Sequence, residues 1–364
     1  MEGRDKILKD ALNSLRKHNY NGVLLIATGA GKTRIMVEAI KELKPKSILY
    51  LSDRRELRDK TFIHELHKWD ASYLIPIIDM ECYQTAYKWK DKKYDIVLAD
   101  EFDAGLTDKY INVFNNNSFT YKILVSATLS EEKRYKARKI APIIYEKNQK
   151  ELIESKVLNK IKFIFIKYDL EGEENKKYLR YNDMFSNLLS SPQTNRTKKS
   201  LEMLKLERKH FLSGLKSSVK VTRWIVDNLS SKNEKVLIFC GLSTQADKVS
   251  PNSYHSTNNN IEALRKFEDG SIKELSVVGK ITRGVNITDV KHIIHNTVSS
   301  SKIEMVQKIG RGLRLKQDET LNVFFIVPYY THPKYGRKPT IIQNWIENAT
   351  KDMNLKGSIF LTYG

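Results

Sequence analysis

Apolar residues in this chain gather in short runs, and between the runs they recur every three or four positions. Val23-Leu24-Leu25-Ile26 is the first run. It stops at a glycine-rich turn and gives way to helical spacing at Ile35, Met36, Ala39 and Ile40. Ser47 to Leu51 predicts a second strand, with a helix over Glu56 to Trp69. Asp95 to Ala99 and Lys122 to Val125 predict a third and a fourth. Short apolar runs alternating with helices imply a doubly wound parallel sheet, so residues 1–150 read as one α/β lobe.

The pattern changes after Glu151. Ile161 to Ile166 predicts a strand, and a polar span follows that includes Glu171-Gly172-Glu173-Glu174-Asn175 and Ser190 to Asn195. Helical spacing returns from Lys199 to Leu229, so residues 151–234 predict a mostly helical connecting segment that leads into a second sheet. Over 235–328 the first pattern comes back. Strands are expected at Lys235 to Cys240, Leu275 to Val278, His292 to Ile294 and Leu321 to Val327, a helix at Ile261 to Phe267, and a stop at Pro328. Residues 329–364 read as a basic, aromatic tail with a short helix around Ile341 to Met353.

Composition adds limits. A chain of 364 residues holds two or three domains, and 40% hydrophobic content supports real cores. No apolar run reaches about 18 residues, the length needed to span a bilayer. The N-terminal residues Met1 to Lys6 lack the apolar stretch of a secretory signal, so the expected compartment is the cytoplasm. Cys82 and Cys240 lie far apart, each within an apolar stretch, which predicts reduced core thiols rather than a disulfide or a zinc site. Charge points outward: 63 Lys and Arg against 43 Asp and Glu leave +20, which favours a polyanion such as nucleic acid. A lysine-rich compositional bias with no partner is the alternative.

The candidate chemistry sits at strand ends. Thr28-Gly29-Ala30-Gly31-Lys32-Thr33 follows a predicted strand and opens a predicted helix. Glycines let backbone N–H groups approach phosphate oxygens at the positive end of a helix. Lys32 would pair with the β- and γ-phosphates, and the Thr33 hydroxyl would ligate Mg²⁺. Asp100-Glu101-Phe102-Asp103 comes directly after another apolar run, expected beside the phosphate-loop strand. Asp100 is then the metal's carboxylate, and Glu101 would orient or deprotonate an attacking water. Downstream, Arg311 and Arg314 in Gln307 to Arg314 share one helix face at i and i+3.

With these residues in hand the chain resembles superfamily 2 helicases and translocases over about residues 20–328. Lys32 and Thr33 match motif I, Asp100 to Asp103 motif II, and Ser126-Ala127-Thr128 motif III, which links the nucleotide to the nucleic-acid track. Ser52 to Leu57 looks like motif Ia, Cys82-Tyr83-Gln84-Thr85 like the next track-contacting segment, and Val236 to Gly241 like motif IV. Thr282 to Ile287 resembles motif V, and Gln307 to Arg314 motif VI. The resemblance implies two RecA-like parallel-sheet domains in tandem with a helical connecting segment, and ATP with Mg²⁺ held between them. It implies that Arg311 and Arg314 reach the γ-phosphate, that Gln307 senses the nucleotide, and that Gly284 and Asn286 couple the second lobe to it. Arg54, Arg55, Gln84, Thr85, Ser243, Thr244, Thr282 and Arg283 are the implied backbone contacts to nucleic acid. Trp69, Tyr83, Trp89, Tyr254 and Trp345 are stacking candidates, although such aromatics more often sit in cores.

Departures narrow the reading. Ile26 stands where the full phosphate-loop pattern has its first glycine, and Phe102-Asp103 matches neither the Ala-Asp nor the Ala-His form of motif II. Motif V carries Arg283 and Asn286 where relatives often have acidic residues, and no glutamine-centred adenine-reading segment precedes Lys32. The pattern is closest to the DNA-repair and phage fork-remodelling branch. The expectation is therefore an ATP-dependent DNA helicase or translocase, working as a monomer and without a membrane partner. The alternatives are an RNA helicase, or a nucleic-acid-stimulated ATPase that remodels without unwinding.

Overall fold

The computed structural model describes residues 2–53, 62–230, 233–258, 260–279, 289–300, 305, 308–309, 319–351, 353, 355 and 357–364. The chain divides into two compact units, Met1–Leu158 and Asn159–Gly364.

In the first unit, α1 (Glu2–Lys17) leads into β1 (Asn21–Ile26), α2 (Lys32–Leu43), β2 (Ile48–Ser52) and α3 (Ile63–Lys68). Then come β3 (Ile78–Cys82), α4 (Tyr83–Ala86), β4 (Lys93–Ala99), α5 (Phe102–Gly105), α6 (Asn112–Asn115), β5 (Ser118–Ser126), α7 (Glu131–Arg138), β6 (Ile143–Lys147) and α8 (Gln149–Glu154). The strands form one six-stranded sheet in the order β3-β2-β4-β5-β1-β6, with every pairing parallel. β1 and β2 are apolar because both faces of the sheet are covered: Val23, Leu24, Leu25 and Ile26 are buried, as is all of β2.

Strand order corrects one expectation. Asp100 follows β4, and β4 is not beside β1; β5 lies between them. The sequence pattern also passes over β3 and β6, the two edge strands. Each is only partly buried, so Ile78-Asp79-Met80-Glu81-Cys82 carries no continuous apolar run.

The second unit holds β7 (Lys160–Asp169), α9 (Gly172–Ser190), α10 (Asn195–Ser213), α11 (Lys216–Ser230), β8 (Lys235–Cys240), α12 (Ser243–Val249), β9 (Ser253–Tyr254), α13 (Ile261–Asp269), β10 (Glu274–Val278), β11 (Val290–His295), β12 (Thr320–His332), β13 (Gly336–Pro339), a helix at Ile341–Thr350 and β14 (Ile359–Thr362). The order across its sheet is β14-β7-β12-β11-β8-β10-β9, with β13 added antiparallel to β12. This sheet recruits more chain than the run 235–328. β7 pairs with β12 along Thr320 to Tyr329, and β14, from the last residues, pairs with β7. The polar span after β7 is a 19-residue helix, α9, whose buried position is Tyr178.

Pro328 does not end its strand; β12 runs on to His332. The Pro328 carbonyl accepts from Thr340 N–H at 3.0 Å, while the Tyr329 carbonyl accepts from Leu170 N–H at 2.7 Å beyond the end of β7. The donor that proline lacks therefore faces the β13 side and leaves the β7 pairing intact. Both cysteine thiols are buried. Among the described residues no helix is long and apolar enough to cross a membrane.

Candidate functional site

Parallel strands send their C-terminal ends to one edge, where loops meet helix N-termini and ligands of open α/β sheets bind. In the first unit Ser52 pairs with Cys82, Leu51 with Ala99, Ala99 with Leu124, and Ser126 with Leu25. The segments at 82–85, 52–53, 100–103, 126–128 and 27–33 consequently leave the same edge in that spatial order.

At the β1 end the backbone turns through left-handed conformations at Gly29 (φ 91°) and Gly31 (φ 93°), the latter capping α2. An added Cβ at Gly31 would meet nothing within 4 Å, so the requirement there is conformational, and side chains rarely adopt it. Lys32 Nζ donates to the Ile26 carbonyl at 3.3 Å, an acceptor that a phosphate oxygen would replace. Ala30 is buried, Thr33 is half-buried on the first turn of α2, and the buried Thr28 Oγ1 has no hydrogen-bond partner among the described residues.

At the β4 end sits the carboxylate pair. Asp100 accepts from the Glu101 N–H at 2.9 Å and from the Tyr50 hydroxyl at 3.3 Å. Burial first, and the adjacent Glu101 carboxylate second, raise Asp100 to about 6, against the opposing pull of Lys32. Burial above all, then Asp100, pushes the Tyr50 and Tyr83 hydroxyls well above the ordinary phenol range, so both act as donors. Glu101 holds a left-handed backbone (φ 47°, ψ 50°), and its Oε2 is buried without a hydrogen-bond partner among the described residues. Such a backbone costs a non-glycine residue about 1–2 kcal/mol. A carboxylate oxygen left unpaired there is suited to a water or a cation.

β5, which lies between those two ends, supplies the next contact. Ser126 Oγ donates to Asp103 Oδ1 at 3.1 Å, with the Thr128 carbonyl also in reach at 3.3 Å. Lys133, from α7, donates to the Asp103 carbonyl at 2.8 Å and lies 3.9 Å from its carboxylate. Ala127 is buried. The structure thus joins the Asp100–Asp103 segment to the Ser126–Thr128 segment through side chains. Lys133 was not legible as part of this, since a lysine on an amphipathic helix resembles any solvated one.

The track candidates divide. Gln84 is exposed and donates to the Asp53 carbonyl at 3.0 Å, tying the segment after β3 to the one after β2, with Thr85 half-buried beside it. Ser243 and the exposed Thr244 open α12 at the C-terminal end of β8. Tyr83 is fully buried, which removes it from the stacking candidates. Trp89 packs on the core of the first unit. Trp69 donates to Glu65 at 2.8 Å and carries the Arg34 guanidinium 4.2 Å over its ring. Tyr254 and Trp345 are half-buried. Arg54, Arg55, Thr282, Arg283, Gly284, Asn286, Gln307, Arg311 and Arg314 lie outside the described residues.

Residue spacing did not reveal a buried polar network in the second unit. Gln245 is buried and donates to the Leu215 carbonyl at 3.1 Å, while its own oxygen accepts from Asn296 at 3.1 Å and Thr297 at 3.2 Å. Thr222 donates to Asn296 at 2.8 Å. This network pins α11, α12 and the end of β11 under the edge that presents Ser243 and Thr244, and burial makes each bond costly to lose.

Comparison with known proteins follows the same division. Residues 3–78 match the family model for the type III restriction enzyme res subunit, and residues 219–316 match the helicase conserved C-terminal domain. The chain is 23% identical over 342 residues to the DNA 3'-5' translocase XPB2 of Sulfurisphaera tokodaii, covering 82% of this chain and 76% of that protein. It is 25% identical over 338 residues to the putative ATP-dependent helicase IRC3 of Saccharomyces cerevisiae, covering 84% of this chain and 48% of that one. In fold it is similar to the ATP-dependent type ISP restriction-modification enzyme LlaBIII bound to DNA (TM-score 0.65, 14% identity, 100% of this chain and 31% of that one). It is also similar to the Pyrococcus furiosus Hef helicase domain (TM-score 0.53, 13% identity, 95% and 97%). The chain thus spans about three quarters of one sequence relative and about half of the other.

Proposed function

We propose that the chain is a superfamily 2 helicase or translocase, an ATP-driven motor whose track is DNA. The observation that carries this reading is the single edge of the first sheet. The phosphate loop, the carboxylate pair and the segment holding Gln84 and Thr85 leave that edge together. An ATPase site and a track contact built on one rigid edge can exchange force.

The residues divide the work. Backbone N–H groups from Gly29 to Thr33 cradle the phosphates, and Lys32 leaves the Ile26 carbonyl to neutralise them. Mg²⁺ would be held by the Thr33 hydroxyl and the Asp100 carboxylate, where it neutralises charge on the phosphate oxygens. The fit is favourable, because Asp100 is a raised carboxylate that a cation would restore to its ionised form. Glu101, whose buried Oε2 has no hydrogen-bond partner among the described residues, orients the attacking water and draws its proton. In this reading Arg311 and Arg314 stabilise charge on the γ-phosphate, and Gln307, Gly284 and Asn286 report its state to the second unit. Gln84, Thr85, Ser243 and Thr244, with Arg54, Arg55, Thr282 and Arg283, hold the DNA backbone. Work on forks and junctions is the role the motif pattern favours.

The test is ATP hydrolysis by the wild type and by Lys32→Ala, with single-stranded, duplex and forked DNA and with RNA, and strand displacement measured in parallel. Turnover should rise with DNA and vanish in Lys32→Ala. Near-normal turnover in the variant would sink the mechanism. Stimulation by RNA alone would move the track from DNA to RNA, and stimulation without displacement would leave a remodelling ATPase.

A further inference from the structure

Tyr83 opens α4, the single turn that carries the proposed DNA contacts Gln84 and Thr85, yet its side chain turns into the protein. The ring is fully buried. It lies against the backbone of α5, where a Cβ added to Gly105 would sit 2.6 Å from the ring. Its hydroxyl donates to the main-chain carbonyl of Asp100 at 3.0 Å.

That carbonyl belongs to the peptide joining Asp100 to Glu101. The other end of the same peptide, Glu101 N–H, donates to Asp100 Oδ1 at 2.9 Å. The peptide plane is therefore held at both ends, by Tyr83 on its oxygen and by the Asp100 carboxylate on its nitrogen. Its orientation sets the left-handed φ of 47° at Glu101, and with it the place of the Glu101 carboxylate. A group doing general-base work loses about a hundredfold in rate for a displacement on the order of 1 Å. A buried, close-packed ring transmits a shift of α4 rather than absorbing it.

We propose that Tyr83 is a positioning residue that couples DNA at the Gln84–Thr85 turn to the placement of Glu101 for hydrolysis. It acts through one hydrogen bond to the Asp100–Glu101 peptide. The inference rests on the motor reading and adds a route by which track occupancy reaches the nucleotide.

Tyr83→Phe tests it, because the ring and its packing stay and only the hydroxyl goes. With saturating single-stranded oligothymidylate, kcat for ATP should fall about tenfold or more. KM for ATP and the half-saturating DNA concentration should stay within about twofold, as for a residue that acts on the hydrolysis step alone. Gln84→Ala should raise the half-saturating DNA concentration, because that side chain is a proposed track contact. A Tyr83→Phe kcat within about twofold of the wild type overturns the proposal. So does a lower kcat accompanied by a higher KM, weaker DNA binding and a lower thermal midpoint, which marks a support for the fold and nothing more. Wild-type turnover that no nucleic acid accelerates overturns the motor reading together with this one. Accelerated wild-type turnover with an unaffected Tyr83→Phe overturns the positioning role alone.

Discussion

Asp100 is caught between two demands. The proposed cation site needs it ionised, while burial and the Glu101 carboxylate raise it to about 6. A carboxyl raised in the folded state binds a proton that the unfolded chain has already released. Asp100 therefore contributes stability to the ligand-free protein that is fully present below the ordinary aspartate range and is lost as pH rises through about 6. This sign is opposite to that of a salt-bridged carboxylate. Nucleotide binding with its cation should weaken as pH drops below about 6, by about tenfold per unit. At pH near 6 binding should release protons, seen as a calorimetric heat that changes with the ionisation enthalpy of the buffer. In Asp100→Asn that buffer dependence should disappear. Its persistence would assign the proton to another group. Asp100 and Glu101 were legible through their order and distance from Lys32, since an acidic turn after a strand is by itself common. The raised proton affinity was not, since it comes from burial within the folded unit, which outweighs the opposing Lys32 and Tyr50.

Among elements, α5 shows how tightly the carboxylate loop is built. Gly105 has no room for a Cβ, because the Tyr83 ring is fully buried and cannot yield. Alanine at a helical position ordinarily gains about 0.5–1 kcal/mol over glycine. Overpacking a well-filled core costs about 1–3 kcal/mol, so the clash should win. Gly105→Ala is expected to lower the denaturation midpoint, and an unchanged or higher midpoint would show that the ring is free to move. Elements with one dominant environment were readable: β1, β2, β4 and β8 are buried runs, and helical spacing marked α2 and the region of α10 and α11. Those with mixed environments were not. β3 and β6 are edge strands, and α9 buries little of its surface, so its polar sequence resembles a loop.

For the whole molecule, the motif resemblance gives Arg314, distant from Lys32 in the chain, a proposed role at the γ-phosphate. Arg314→Ala removes that charge and leaves the residues of the phosphate loop unaltered. Nucleotide affinity should survive, while turnover per bound ATP falls roughly 10³-fold. If affinity fell and turnover per bound ATP did not, the arginine would be a binding residue rather than one that stabilises the transition state. The charge of +20 belongs to this scale too, as a property of the surface that favours a polyanion without saying which.

Sequence alone determined which candidate residues stand at the strand ends, Gly29 to Thr33, Asp100 with Glu101 and Ser126 to Thr128, and the order in which they come. These are local signals, since a phosphate loop needs its glycines, lysine and hydroxyl within a few residues of one strand and one helix. Tertiary structure decided which strands are neighbours. It put β5 between β4 and β1, drew β7 and β14 into the second sheet, and carried β12 past Pro328. It also turned Tyr83 inward onto the Asp100 carbonyl, where the same tyrosine at the head of a short helix could have faced a nucleic-acid base. Pairing between distant parallel strands and the facing of a one-turn helix are set by packing among residues far apart in the chain, and no local spacing encodes them.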